Sequence, residues 1–247
     1  MGLKMIANDT LAPWNTKVVP PVTRGLEAWF TFDTDASRFG FNRAIGKPNG
    51  TIIGAPTAFA THGRFKGNTN YILTQARDTD EVTLFSVVRA LVAPTSNADG
   101  VTPVSTYRGN SVTPEFPGSS GGANIFLRAN SVISAGISRS TNGVYDLEMV
   151  NAVGGSPTSW RLLCAKAKSG SPSKVMDLTN SISMTGTNLT KRILSDLMFR
   201  IGSSTVDYLG ESDISAVAIY SSYLTDSEIN EVASAMRKRM LRLGVAV

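Results

Sequence analysis

The sequence predicts an all-β protein in which two antiparallel sheets pack face to face. Short apolar runs alternate with turn-forming residues along the chain, whose 247 residues include 22 Gly and 11 Pro. Alternating side chains, such as the apolar positions within residues 26–33, are typical of a strand with one buried face. Only the C-terminal segment has the period of an amphipathic helix. Many short strands with a single helix indicate a sandwich.

The composition excludes several classes of protein. Hydrophobic residues make up 42% of the chain, which is enough for a packed core. The single cysteine, Cys164, excludes an internal disulfide. The net charge of +5 is spread along the chain, so we expect no nucleic-acid partner. The sequence has no long apolar run and no secretory signal pattern at its start, so we expect neither membrane insertion nor signal-directed export.

We predict that residues 1–24 form an extended arm and that residues 25–247 form the sandwich with its helix. Pro13, Pro20 and Pro21 lack backbone donors and favour extended backbone. The arm has too many apolar side chains for a free tail, and they either pack on their own domain or dock on a neighbouring subunit. The side chains that we assign to assembly are Leu11, Trp14, Val18 and Val19.

Strands are predicted wherever apolar residues alternate or cluster between turn signals. Residues 83–88 and 214–220 are apolar on both faces, which is typical of central strands covered on both sides. Residues 144–150 place Tyr145, Leu147 and Met149 on one face, so we expect Asp146 and Glu148 to face water. The predicted strands are 26–33, 51–53, 71–74, 82–92, 124–129, 132–138, 143–150, 160–167, 181–184, 194–201 and 212–220.

The C-terminal helix is predicted over residues 225–243. Thr225 and Glu228 have the spacing of a capping box, in which each residue satisfies the backbone amide of the other. Gly244 is a suitable stop. The apolar stripe has helical spacing and consists of Ile229, Val232, Ala233, Met236 and Met240.

Several segments together resemble the concanavalin A-like, laminin-G-like jelly-roll domains. Residues 25–33 (GLEAWFTFD) resemble the opening strand of that family, and residues 208–220 (YLGESDISAVAIY) resemble its closing strand. Residues 223–229 (YLTDSEI) are similar to the helix start that closes these domains. Residues 63–67 and 82–88 match internal strands, although Lys66 stands where an Asp is usual. The resemblance implies a two-sheet antiparallel jelly-roll sandwich.

The combination of an arm, a Ser- and Thr-rich β domain and a lectin-like fold also resembles bacteriophage virion proteins. This resemblance implies a non-enzymatic structural protein of the head decoration, collar, baseplate or fibre. Its partners would be other virion proteins and further copies of the chain. It would be located in the virion after assembly in the host cytoplasm.

No arrangement of residues in the sequence predicts catalysis. Asp146 with Glu148, and Glu211 with Asp213, are the nearest approaches to a glycosidase carboxylate pair, but neither completes the family pattern. His62 is the single histidine, and no serine nucleophile motif accompanies it. We therefore expect no enzymatic activity, and a polysaccharide depolymerase is the weakest of three hypotheses.

Cofactors are not required by the sequence, and we expect no metal site. Calcium is the one candidate, since related lectin folds hold it with loop carboxylates. The loop carboxylates in suggestive pairs are Asp33, Asp35, Asp78 and Asp80. The alternative is that these aspartates form turns.

A loop-rich segment, residues 93–122, is the candidate binding region. Aromatic rings that stack on sugars, together with Arg and Asn that bind hydroxyls, are the usual means of glycan recognition. Tyr107, Arg108, Asn110 and Phe116 supply this chemistry for a glycan or a protein partner. Trp160 is either a core residue or a second sugar contact. A host-surface glycan-binding adhesin is thus the alternative to the structural role.

Overall fold

The computed structural model describes residues 20–141 and 144–247. The proposed assembly residues Leu11, Trp14, Val18 and Val19 lie outside the described residues. The described chain forms β-strands, a short 3-10 helix (Ala36–Arg38) and one α-helix, α1 (Asp226–Arg242). In chain order the strands are β1 (Leu26–Thr31), β2 (Thr51–Ile53), β3 (Thr57–Ala58), β4 (Gly63–Lys66), β5 (Tyr71–Arg77), β6 (Val82–Ala90), β7 (Val101–Ser105), β8 (Gly109–Asn110), β9 (Ser119–Ser120), β10 (Ala123–Arg128), β11 (Val132–Thr141), β12 (Val144–Val153), β13 (Arg161–Lys168), β14 (Ser171–Asp177), β15 (Ile182–Thr185), β16 (Met198–Ile201) and β17 (Glu211–Tyr220).

The strands form two large antiparallel sheets, as the sequence predicted. The eight-stranded sheet has the order β15-β14-β13-β6-β17-β4-β3, with β1 also paired to β17. The seven-stranded sheet has the order β12-β11-β10-β7-β16-β5-β2. Strands β8 and β9 form a separate small ribbon. The crossings between the sheets are those of a jelly-roll sandwich, which confirms the predicted fold class.

Strand β17 is the centre of the eight-stranded sheet. It pairs along one side with β6, and along the other side first with β4 and then with β1. Its pairing with β6 is shifted between Ile214 and Ala216, which marks a bulge at Ser215. Because of this extra residue, Ile214 and Val217 both face the core between the sheets. Asp213 therefore faces the outer side.

The main core lies between the two sheets. It consists of inward-facing apolar side chains from almost every long strand, with an aromatic group at one end. Phe32 packs edge-on against Phe39 and Phe65, with ring centroids 5.3 and 4.9 Å apart. Edge-to-face packing of this kind adds to the stabilisation from burial alone. Strands β6 and β17 are buried on both faces, as predicted from their apolar runs.

The α-helix covers the outer face of the eight-stranded sheet. Its predicted stripe is buried against a second apolar cluster that includes Trp29, Phe85 and Tyr220. The predicted capping box is present, with Thr225 accepting from the Glu228 amide and Glu228 accepting from the Thr225 amide. Among helices of the described residues, none has the length and apolarity to span a bilayer.

Strand β12 has the opposite orientation to the predicted one. Val150 and Ala152 belong to the core between the sheets, and Glu148 shares their face. Leu147 and Met149 lie on the outer face, half-buried against a small aromatic cluster. The prediction failed because it weighted these large residues and ignored the small apolar residues that continue the strand.

The sequence did not predict two strands that contain a proline, β7 and β14. Pro103 lies in β7, which pairs on both sides, but the pairing with β10 is interrupted by a bulge next to this residue. A bulge is one of the few places where a sheet tolerates the missing amide of proline. Pro172 lies at the start of β14, which is also rich in polar residues. Residues 93–122 are therefore partly strand, although the sequence indicated a loop.

Candidate functional site

A row of charged side chains crosses the outer face of the eight-stranded sheet, beside the C-terminal end of α1. Asp213 on β17 lies directly opposite Arg64 on β4 and Arg89 on β6. Residues directly opposite in antiparallel strands point to the same face. Their chain neighbours Phe65 and Val88 point into the core. The three charged side chains therefore meet on the outer face.

Both arginines donate to the one carboxylate. Arg64 Nε lies 2.8 Å from Asp213 Oδ1, and Arg64 Nη2 lies 3.2 Å from Oδ2. Arg89 Nε and Nη2 lie 3.0 and 2.9 Å from Oδ2. Asp213 is fully buried, whereas the Arg64 and Arg89 side chains are 31% and 33% exposed. The carboxylate thus anchors two guanidinium groups that reach the solvent.

Burial alone would raise the pKa of Asp213. The adjacent His62 ring, whose Nε2 is 3.3 Å away, and the hydrogen bonds from Arg64 and Arg89 outweigh that effect and hold the pKa of Asp213 well below its usual range. The hydrogen bond to Asp213 likewise raises the pKa of Arg64. Asp213 and Arg64 therefore keep their charges over the whole physiological pH range.

Aromatic rings surround these charges. The His62 ring stacks on Phe59, with centroids 4.7 Å apart, and meets Trp160 edge-on at 5.3 Å. Its Nε2 lies 3.3 Å from Asp213 Oδ2. The Arg64 guanidinium lies 4.8 Å from the Phe59 centroid, and the Arg89 guanidinium lies 5.0 Å from the Trp160 centroid. Each arginine is therefore fixed by a carboxylate and by an aromatic ring.

We call this group the arginine–aromatic cluster, and it consists of Phe59, His62, Arg64, Arg89, Trp160 and Asp213. It combines solvent-facing N–H donors with partly exposed apolar rings. Phe59 is 36% exposed. Trp160 is half-buried and packs against the apolar cluster between the eight-stranded sheet and α1. A surface of this composition can bind a ligand that has both oxygen acceptors and C–H faces.

The binding loop predicted from the sequence is only partly exposed. The Tyr107 ring is buried and packs edge-on against Phe126 and Tyr208, with centroids 5.5 and 5.9 Å away. Arg108 is 59% exposed, lies over the Tyr107 ring and is 3.6 Å from Asp207. Tyr107 thus supports the outer face of the seven-stranded sheet, and Arg108 is its solvent-facing neighbour.

The other two predicted loop residues, Asn110 and Phe116, differ in exposure. Asn110 is exposed, and both its backbone amide and its side-chain amide donate to Asp196, at 2.8 and 3.0 Å. Phe116 is half-buried in a turn, where its amide donates to the Thr113 carbonyl oxygen. Of the four predicted residues, Arg108 and Asn110 are thus exposed, Phe116 is half-buried and Tyr107 is buried.

The candidate catalytic carboxylates have structural partners. Glu148 accepts from Arg139 Nε at 2.8 Å and from Ser173 Oγ at 2.6 Å, and the Arg139 side chain is fully buried. Burial lowers the pKa of Arg139, and the adjacent Glu148 carboxylate partly opposes that shift. The expectation that Glu148 faces water is wrong, because it neutralises a buried arginine at the rim of the core.

The aspartates that the sequence suggested as calcium ligands also have partners within the protein. Asp33 pairs with Arg239, and Asp35 caps the short 3-10 helix. Asp78 pairs with the fully buried Arg192 at 2.7 Å, and Asp80 accepts from Ser169. In the part of the chain that the structure describes, no three His, Cys, Asp or Glu side chains form a group that could hold a metal ion.

Sequence reasoning named Trp160 as one of two alternatives, a core residue or a sugar contact, but it identified Asp213 and His62 only for other roles and missed the arginines. Arg64 and Asp213 are 149 positions apart, and Arg89 and Asp213 are 124 positions apart, so their contact depends on the strand register. One signal was available in the sequence. Arg89 follows the apolar run of β6 at an outward-facing position, where a charge needs a partner or water.

No protein-family model matches this chain, and no curated protein matches it. Similar folds are found among botulinum neurotoxin domains. The binding domain of botulinum neurotoxin DC, solved in complex with SialylT, has a TM-score of 0.60 at 10% identity, over 87% of this chain and 52% of that one. The receptor-binding domain of the C/D mosaic serotype has a TM-score of 0.59 at 12% identity, over 87% and 52%.

A third similar structure is that of a type C neurotoxin, whose cell entry is described as dependent on interaction with two ganglioside molecules. Its TM-score is 0.54 at 11% identity, over 76% of this chain and 47% of that one. This chain thus spans about half the length of these neurotoxin domains. At such low identity the likeness shows a shared β-sandwich fold.

Proposed function

We propose that this domain binds carbohydrate without catalysing a reaction on it, and that the arginine–aromatic cluster is its binding surface. The observation that carries the proposal is the pair of arginines, fixed by the buried Asp213 and still one-third exposed. The neurotoxin domains with this fold, described as binding gangliosides or as bound to SialylT, support the same function.

The physical basis is preorganisation. Arginine side chains normally lose rotamer freedom when they bind a ligand, and this loss reduces affinity. Here the Asp213 carboxylate and the Phe59 and Trp160 rings already hold both guanidinium groups in place. Donors fixed before binding can contact sugar oxygens at a smaller entropic cost.

The test is a glycan array followed by calorimetry with any sugar that binds. Arg89→Gln and Trp160→Ala should each weaken binding by about tenfold or more, because each removes a direct contact. Arg77→Gln is the matched control, since it removes an exposed arginine on β5 of the seven-stranded sheet. Melting temperatures would show that the variants remain folded. Binding that survives both cluster variants would assign the glycan to another surface, and no bound glycan at all would overturn the proposed function.

The absence of catalysis is part of the proposal. Its support is that Glu148, one member of a candidate carboxylate pair, is engaged by Arg139 and Ser173. In the other pair, Asp213 is engaged by two arginines. An acid catalyst must donate a proton, and a carboxylate held in an ion pair is a poor proton donor. Release of reducing ends from a bound polysaccharide would contradict this part of the proposal.

A second proposal is the structural role in a bacteriophage virion, with assembly through residues 1–24. It is supported by the apolar content of that segment and by the way its last residues are anchored. Val22 is buried in the apolar cluster between the eight-stranded sheet and α1, and Arg24 pairs with Glu228 at 2.8 Å. Deletion should therefore stop at residue 19, so that the anchor is retained. A change from oligomer to monomer in light scattering would support this role, whereas an unchanged mass would contradict it.

A further inference from the structure

We infer that the arginine–aromatic cluster selects sugars that carry a carboxylate, an inference that rests on the proposed function. The cluster contains two guanidinium groups and one carboxylate, which leaves one positive charge in excess when His62 is neutral. The adjacent pair of Lys66 and Glu211, 3.5 Å apart, is neutral as a whole and leaves this excess unchanged. A ligand group with a single negative charge balances it.

The free donors of the two arginines suit a carboxylate in geometry as well. Arg64 and Arg89 each use Nε and Nη2 to bind Asp213. Among the described residues, neither Nη1 has a hydrogen-bond acceptor. Both Nη2 atoms donate to the same oxygen of Asp213, so the two planar groups converge. The paired N–H groups of a guanidinium match the two oxygens of a carboxylate, and hydrogen bonds between charged groups are the stronger kind.

The aromatic rings favour a sugar acid over a small inorganic anion. Phe59 adjoins Arg64, and Trp160 adjoins Arg89, so apolar surface lies on both flanks of the charged pair. An inorganic anion would contact the arginines alone. A uronic acid would place its carboxylate on the arginines and its ring C–H groups on the aromatic surface.

The test uses oligogalacturonate and its methyl ester, in which a neutral methyl ester replaces the charged carboxylate on the same sugar chain. We expect the wild-type protein to bind the acid at least about tenfold more tightly than the ester by calorimetry at pH 7. Arg64→Gln and Arg89→Gln should each remove most of this preference. Arg77→Gln removes the same charge from an exposed position on β5 of the seven-stranded sheet and should leave the preference intact, which separates the site from a general effect of net charge.

The outcomes distinguish this inference from the proposed function. Equal affinity for acid and ester would overturn the inference and leave glycan binding in place. Binding of neutral glycans on the array without binding of the acid would do the same. An acid preference that survives both cluster variants would overturn the assignment to these arginines. If no glycan binds at all, the proposed function fails.

Discussion

Arg89 on β6 and Asp213 on β17 are directly opposite each other in the eight-stranded sheet, and two nitrogens of the guanidinium donate to one carboxylate oxygen at 3.0 and 2.9 Å. Asp213 is fully buried, so its charge depends on these donors and on Arg64. The same carboxylate that positions the candidate binding surface therefore also contributes to folding. This double role leads to a prediction about stability and pH.

Asp213→Asn should lower the free energy of unfolding by about 2–3 kcal/mol at pH 7, since two arginines lose a shared buried counter-ion. Because hydrogen bonds hold the native pKa of Asp213 below its usual range, its contribution is complete above the unfolded pKa of about 4. The contribution is lost as the pH falls from about 4 toward the native pKa. Urea denaturation at pH 7 and at pH 3 would measure the effect.

The variant should therefore lose less stability on acidification than the wild type does. Asp207→Asn is the control. The Asp207 side chain is 47% exposed, and its ion pair with the exposed Arg108 is long, at 3.6 Å. We expect the control to change stability by less than about 0.5 kcal/mol. Parallel pH profiles for wild type and Asp213→Asn would contradict the assigned role.

Glu148→Gln should destabilise the fold by about 2–4 kcal/mol, because it leaves the fully buried Arg139 without its counter-ion. The expected result is a lower midpoint in thermal or urea denaturation. Asp146→Asn is the matched control on the same strand, where the exposed carboxylate accepts from the Thr141 hydroxyl at 3.1 Å and pairs with no cation of the described residues. A similar loss in both variants would show that charge on β12 matters in general and that the ion pair does not.

The sequence was sufficient to predict the fold class, because alternation and turn residues act locally. The two strands buried on both faces and the capped helix were predicted for the same reason. Strands β7 and β14 were missed because Pro103 and Pro172 mask the pattern, and their tolerance depends on where the neighbouring strands bond.

The candidate site was less accessible from the sequence, because it is formed by register. Arg64, Arg89 and Asp213 come from three strands, and nothing local to any one of them indicates the others. Tyr107 shows another limit of local patterns. A loop aromatic suggested an exposed sugar contact, but its ring is buried against Phe126 and Tyr208.

Thr225→Ala should cost about 1 kcal/mol of stability through loss of the helix cap. The Thr225 hydroxyl accepts from the Glu228 amide at 3.2 Å, and alanine would leave that amide to water. Ser227→Ala is the control within the same helical turn, since Ser227 is exposed and outside the capping box. Equal denaturation midpoints for the two variants would contradict a stabilising role of the cap.

Cys164 should resist thiol reagents in the native protein and react rapidly once the protein unfolds. The side chain is buried on β13, in the apolar cluster between the sheet and α1. Burial raises the pKa of the Cys164 thiol well above its ordinary value, so the reactive thiolate is scarce as well as inaccessible. Absorbance at neutral pH with an aromatic disulfide reagent would measure the rate, first in buffer and then in urea.

The control is Ser227→Cys, which adds an exposed thiol on α1. This thiol should react at once, leaving a second, slow phase for Cys164. Rapid reaction of both thiols in buffer would show that the helix opens from the sheet without global unfolding.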